Sequence, residues 1–209
     1  MNHYTTACSL QRNITTDSEI VLKLQDGTAQ PELVNQWMRG YGLFQGINSQ
    51  ERDAIVKAFL EYAQRFDRPI HPLEPEITEE QFTNLLTILH NTVRRGWMSA
   101  TSKLLWCLHP YDFVIYDAFV HRALLVLQCV DSSLDAFDRI GTPPAIKSQQ
   151  DIDKAIRFYM NYQGMVKKLL TEHQFTLNKL RQRDNESYFY DIRIIDKVLW
   201  MIGDPRRKY

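Results

Sequence analysis

Residues 99–124 read SATSKLLWCLHPYDFVIYDAFVHRAL, and this stretch decides how the rest of the chain is read. Ser99 is placed to cap an apolar helix that carries Lys103 near its start, and Pro110 ends that helix because proline cannot continue one. The segment Phe113-Val114-Ile115-Tyr116 then reads as extended and leads to Asp117, the N-cap of a second apolar helix running to about Cys129. An amine and a carboxylate carried on consecutive helices can meet at one spot.

The flanks follow the same helical logic. Pro31 opens a short helix, PELVNQWMR, which ends at Gly40. Asn48 with Glu51 forms a capping signature ahead of Ile55, Phe59, Tyr62 and Phe66 at helical spacing. Thr78 with Gln81 repeats that signature ahead of Phe82, Leu85, Leu86 and Leu89, a stripe ending near Gly96. A short helix is expected over 131–140, ended by Gly141 and Pro143-Pro144. Ser148 opens a long helix with Ile152, Ala155, Ile156, Tyr159, Met165 and Leu169 on its inner face, and the last helix is expected over 186–202. Residues 1–30 are weakly patterned, with Ile20-Val21-Leu22 as a short strand or part of a helix, and 204–209 read as a disordered tail. One all-α globular domain spanning 1–209, with eight or nine helices, is expected.

At 209 residues the chain can bury a substantial core. Its 25 basic and 25 acidic side chains cancel, which weighs against nonspecific nucleic-acid binding, where a surplus of positive charge is usual. No apolar run is long enough to span a bilayer, and the N-terminus lacks a signal-peptide core, so a cytoplasmic protein is expected. The three cysteines, Cys8, Cys107 and Cys129, form no C-x-x-C, and Cys107 and Cys129 read as core thiols. His109-x-x-Asp112 and Asp117-x-x-x-His121 each supply two ligand types, which falls short of a metal site. Neither a metal nor a cofactor is expected.

Lysine becomes a nucleophile once deprotonated, and burial lowers its pKa by disfavouring the charged form. Lys103, beside Leu104, Leu105 and Trp106, stands where that effect operates. Asp117 at a helix N-terminus stays ionised, because backbone N–H groups and the helix dipole favour the anion. The same residues also read structurally: Asp117 as a cap, Lys103 as a stem over apolar neighbours, the two as an ion pair.

The segment resembles the core of the helix-hairpin-helix DNA glycosylase superfamily, the endonuclease III and 8-oxoguanine glycosylase group. Thr101-Ser102-Lys103-Leu104-Leu105 is similar to its lysine-bearing part, and Pro110 followed by Phe113-Val114-Ile115-Tyr116-Asp117 to its aspartate part. The resemblance implies an all-α fold, with Lys103 as nucleophile and Asp117 as assisting carboxylate in cleavage of an N-glycosidic bond. Where the family hairpin carries paired glycines against a DNA phosphate, this chain has Gly96 alone, and its lysine-to-aspartate spacing is shorter.

Around that pair, Trp97, Tyr111 and Tyr116 are candidates to stack on a base, while Trp106 and Phe113 read as core. Arg94 and Arg95 are candidates for a phosphate, as are Lys167, Lys168, Lys179, Arg181, Arg183 and the tail Arg206-Arg207-Lys208. Asp196 lies in the most apolar stretch of the last helix and needs a partner, for which Arg122 or Lys103 is expected; it is a second candidate acid. Two functions remain open: a glycosylase acting on DNA or a nucleoside, and a helical binding or interaction protein, with a protein partner, that keeps the fold without catalysis.

Overall fold

The computed structural model describes residues 14–65, 72–183 and 190–206. Among them are eight α-helices, one 3₁₀ turn and no strand, so the expected all-α class holds. The helices are α1 (Ile14–Gln25), α2 (Pro31–Gly40), α3 (Ser49–Arg65), α4 (Pro75–Val93), α5 (Met98–Leu108), α6 (Ala118–Leu127), α7 (Gln149–Arg183) and α8 (Asp191–Gly203).

Local chemistry sets most of the boundaries. Asn48 Oδ1 accepts the Glu51 N–H at 2.9 Å and Glu51 Oε2 accepts the Asn48 N–H at 3.0 Å, a reciprocal capping box that starts α3. Asp151 Oδ2 accepts both the N–H and the hydroxyl of Ser148 ahead of α7. Helix α4 starts before its expected cap: Pro75 presets the first turn, and Thr78 lies inside the helix with its hydroxyl donating to Glu74 O at 3.1 Å. Ser99 likewise lies inside α5 rather than capping it, because its hydroxyl donates to Tyr116 O at 3.2 Å.

Ile20 and Val21 belong to a helix, α1, the second of the two readings open for them, and are fully buried. Two other expectations are corrected. The stretch 131–140 holds only the 3₁₀ turn Ser132–Leu134, because side-chain amides take over its backbone groups: Gln128 Oε1 accepts the Ile140 N–H and Asn161 Nδ2 donates to Asp138 O. The tail is held at its start, where Asp204 is buried and its carboxylate accepts from the Arg206 guanidinium at 2.9 Å. The expectations for 186–189 and 207–209, and for Phe66 and Cys8, lie outside the described residues.

The helices share one hydrophobic core containing Trp37, Phe59, Phe82, Trp106, Phe113, Tyr159 and Tyr162. Helix α4 packs on α3, α5 and α7, α1 on α2 and α5, and α8 on α6 and α7. Phe82 of α4 stacks on Tyr159 of α7 at 3.8 Å between ring centroids. Helices α8 and α6 approach closely at Gly203, where an added Cβ would stand 1.7 Å from Phe119 O of α6. Among the described residues no helix is long and apolar enough to cross a membrane.

The segment 113–116 is buried and belongs to no helix or strand, so side chains must satisfy its backbone. Gln163 Oε1 accepts the Val114 N–H at 3.0 Å, Tyr159 Oη donates to Val114 O at 2.7 Å, and Tyr162 Oη donates to Ile115 O at 2.9 Å. Ser102 Oγ accepts the Tyr116 N–H at 2.9 Å. Polar groups of α5 and α7 thereby lock the strand-like connection that presents Asp117.

Candidate functional site

The first half of α5 starts at Trp97, which caps the helix through its backbone position alone. One and a half turns later Lys103 is carried inward, 5 % exposed, with Nζ donating to Ser99 Oγ at 2.7 Å and to Tyr116 O at 3.2 Å. At the far end of the connection, Asp117 Oδ1 accepts the Phe119 N–H at 2.9 Å and so caps α6. Lys103 and Asp117 line the same cavity, of about 470 Å³.

Three other elements complete its wall. Gly40 at the end of α2, with Tyr41, Gly42, Leu43 and Gln45 after it, forms one side. Helix α8 supplies Arg193, Asp196, Lys197 and Trp200, and α1 supplies Asp17. Trp97 and Trp200 provide aromatic surface, with the Arg95 guanidinium 5.6 Å from the Trp97 ring and Lys197 Nζ 5.8 Å from the Trp200 ring. Arg95 also donates to Gln45 O at 2.8 Å, pinning the loop.

A buried ionic network underlies the cavity. Arg193 pairs with Asp196 of its own helix, donates to Tyr41 Oη at 2.8 Å and lies 3.8 Å from the Asp17 carboxylate. Asp17 in turn accepts from Trp37 Nε1 at 2.9 Å and Tyr41 Oη at 2.8 Å. The partner expected for Asp196 was Arg122 or Lys103; Arg193 takes that place because it lies three residues away on the same helix face. Arg122 instead donates to Gly203 O at 3.2 Å.

These surroundings shift the titrating groups. Burial pulls Lys103 down to about 8, against the opposing pull of Asp117 and Asp196. Burial, aided by Arg193, pulls Lys197 to about 8 as well. Burial also pushes the Asp196 carboxyl up, with Arg193 opposing. The cavity therefore holds two amines whose neutral forms are accessible near neutral pH.

Of the residues singled out from the sequence, Lys103, Asp117, Trp97, Arg95 and Asp196 converge on this cavity. Arg94, Tyr111 and Tyr116 do not line it. Arg94 ends α4 in the left-handed region, with φ 51°, and is exposed. Tyr111 is largely exposed and packs on Tyr190 at 5.5 Å. The Tyr116 ring turns away into Tyr162 and Phe158 of α7, leaving only its carbonyl beside Lys103.

Two of the remaining basic residues have other neighbours: Lys168 pairs with Glu172 at 3.0 Å, and Lys179 lies 4.2 Å from the Phe175 ring; the side chains of Arg181, Arg183, Arg207 and Lys208 lie outside the described residues. His121 Nε2 meets Gly141 O at 2.8 Å, and Asp112 accepts the Leu73 N–H at 3.0 Å. Cys107 is buried as expected, but Cys129 is exposed, because α6 ends before it and Arg139 reaches its sulfur at 3.3 Å.

Asp17, Tyr41, Arg193, Lys197 and Trp200 were not singled out for this site. Trp200, one turn beyond Asp196 on the helix already flagged, carried a readable signal. Asp17 carried none, since nothing local marks a residue of α1 as a neighbour of α8.

No protein-family model matches the chain, and no curated protein or solved structure matches it.

Proposed function

We propose that this protein is an N-glycosidase, similar in chemistry to the helix-hairpin-helix glycosylases, that cleaves the base–sugar bond of a nucleoside unit. The observation that supports this most directly is the shared cavity: Lys103, with its pKa lowered to about 8, and Asp117 line one space that also has two indoles on its wall. Neutral Lys103 attacks C1′ of the sugar. The C1′–N bond to lysine forms as the C1′–N bond to the base breaks. The base leaves with the bonding electron pair and gains a proton, while the lysine nitrogen loses one. Asp117 stabilises the positive charge that develops on the sugar ring. Ring opening converts the adduct to an imine, which water hydrolyses to free lysine and sugar.

A free nucleoside fits better than duplex DNA. The charge of the chain is balanced, which offers no long phosphate track. Gly96, the single glycine of the would-be hairpin, lies under Ile146, where a Cβ would stand 2.5 Å from the Ile146 side chain. That glycine serves packing.

A second reading, ligand binding without cleavage, draws on the structural partners the pair already has: Lys103 donates to Ser99 and Tyr116, and Asp117 caps α6. Borohydride trapping separates the two. The protein is incubated with an oligonucleotide carrying an abasic site, and separately with nucleosides, and is then reduced. The glycosidase reading expects a covalent adduct that is lost in Lys103→Ala, together with free base released from a nucleoside. Absence of both adduct and released base overturns it in favour of the binding protein.

A further inference from the structure

Asp196 is 2 % exposed and lines the cavity, yet only one of its oxygens is engaged. Oδ2 is held by Arg193, whereas Oδ1 is buried with no hydrogen-bond donor among the described residues. The neighbouring cations are directed elsewhere. Lys103 donates to Ser99 and Tyr116, Arg95 to Gln45, and Lys197 lies over Trp200. Native folds seldom leave a buried acceptor unsatisfied, and a binding site is where a ligand supplies the donor.

Asp196 and Trp200 stand one turn apart on the same face of α8, and both line the cavity. A flat ring lying against the Trp200 indole would bring its edge to Asp196. The sugar would then lie toward Lys103 and Asp117, which come from α5 and the start of α6. We propose that Asp196 reads the nucleobase, its Oδ1 accepting a hydrogen bond from an amino or ring N–H group. The cavity thereby selects nucleosides whose base edge carries a donor. This inference rests on the nucleoside reading of the cavity given above.

The test is a titration of the full chain carrying Lys103→Ala, so that no bond is broken, followed by calorimetry or tryptophan fluorescence. The ligands are adenosine, inosine and purine riboside; the last has neither an amino group nor a ring N–H. Adenosine or inosine is expected to bind about tenfold more tightly than purine riboside, the difference made by one hydrogen bond to a charged group. Adding Asp196→Asn keeps the shape of the side chain, lets its carbonyl face Arg193 and turns an amide N–H toward the ligand. That change is expected to abolish or invert the preference, whereas a purely structural role would weaken all three ligands alike.

Equal affinities for the three ligands, or an equal loss for all in the Asn variant, overturn the inference. If the Asn variant does not fold, the ligand series on the Lys103→Ala protein decides alone. A borohydride adduct formed by the wild-type protein alongside equal affinities overturns base selection while the glycosidase reading stands. Failure of all three ligands to bind at millimolar concentration also overturns base reading by Asp196, and the glycosidase reading is then decided by the borohydride experiment.

Discussion

Lys103 Nζ donates to the carbonyl oxygen of Tyr116 at 3.2 Å, and Tyr116 is the residue before Asp117. The amine is thereby tied to the backbone that presents the carboxylate, so the separation of the two groups is set by one peptide unit and not by side-chain wandering.

Asp117→Asn separates the cap from the chemistry. Asparagine caps a helix about as well as aspartate, so thermal stability should stay within about 0.5 kcal/mol of the parent. Under the glycosidase reading proposed above, loss of the negative charge should slow base release by about a hundredfold or more. Melting curves and single-turnover kinetics on the same preparation check both halves.

Lys103 predicts a pH profile. In the glycosidase proposed above the reactive form is the neutral amine, so with a pKa of about 8 adduct formation should rise about tenfold per unit up to pH 8 and then level. The stability effect has a definite sign. The folded pKa lies below the unfolded one, so between pH 8 and 10 the unfolded chain binds more protons and stability rises with pH. Urea melts across that window should show a slope that weakens in Lys103→Met.

Tyr159→Phe and Tyr162→Phe each remove the hydroxyl that donates to the buried carbonyl of Val114 or Ile115. Each is expected to cost about 1–3 kcal/mol, because the carbonyl keeps its burial and loses its donor. The urea midpoint should fall with an unchanged m-value.

Arg193→Met leaves Asp17 and Asp196 buried without their cation and should cost about 3–5 kcal/mol. Combined with Asp196→Leu, the loss should be smaller than the sum of the single changes, since the two residues act as a pair. A double-mutant cycle by chemical denaturation measures this.

Gly203→Ala places a Cβ 1.7 Å from Phe119 O, where backbone and not a movable side chain must yield. A loss of about 3 kcal/mol is expected from forcing α6 and α8 apart. Gly141→Ala, with nothing within 4 Å of the added Cβ, is the control and should melt like the parent.

What was legible in the sequence was local. Asn48 and Glu51 announced α3 because both partners of that cap lie within one turn. The run from Phe113 to Asp117 announced a connection and a cap for the same reason, and it brought Lys103 and Asp117 to one cavity. Where tertiary contacts outweighed local pattern, the reading failed. The helix expected over 131–140 gave way to amides from Gln128 and Asn161, and Phe137 packs where Gly164 leaves room, its Cε1 2.7 Å from an added Cβ. Tyr116 was read as a wall of the site, but the aromatic rings of α7 draw its own ring away. The contribution of Asp17 depends on how distant segments meet, which no window of sequence contains.

That meeting has a timing consequence. Tyr41 and Asp17 contact Arg193, so the chamber is bounded by pieces synthesised early and late. Only once α8 has been made does the chamber gain the wall that Arg193, Asp196, Lys197 and Trp200 supply, and with it the guanidinium that Asp17 and Tyr41 face.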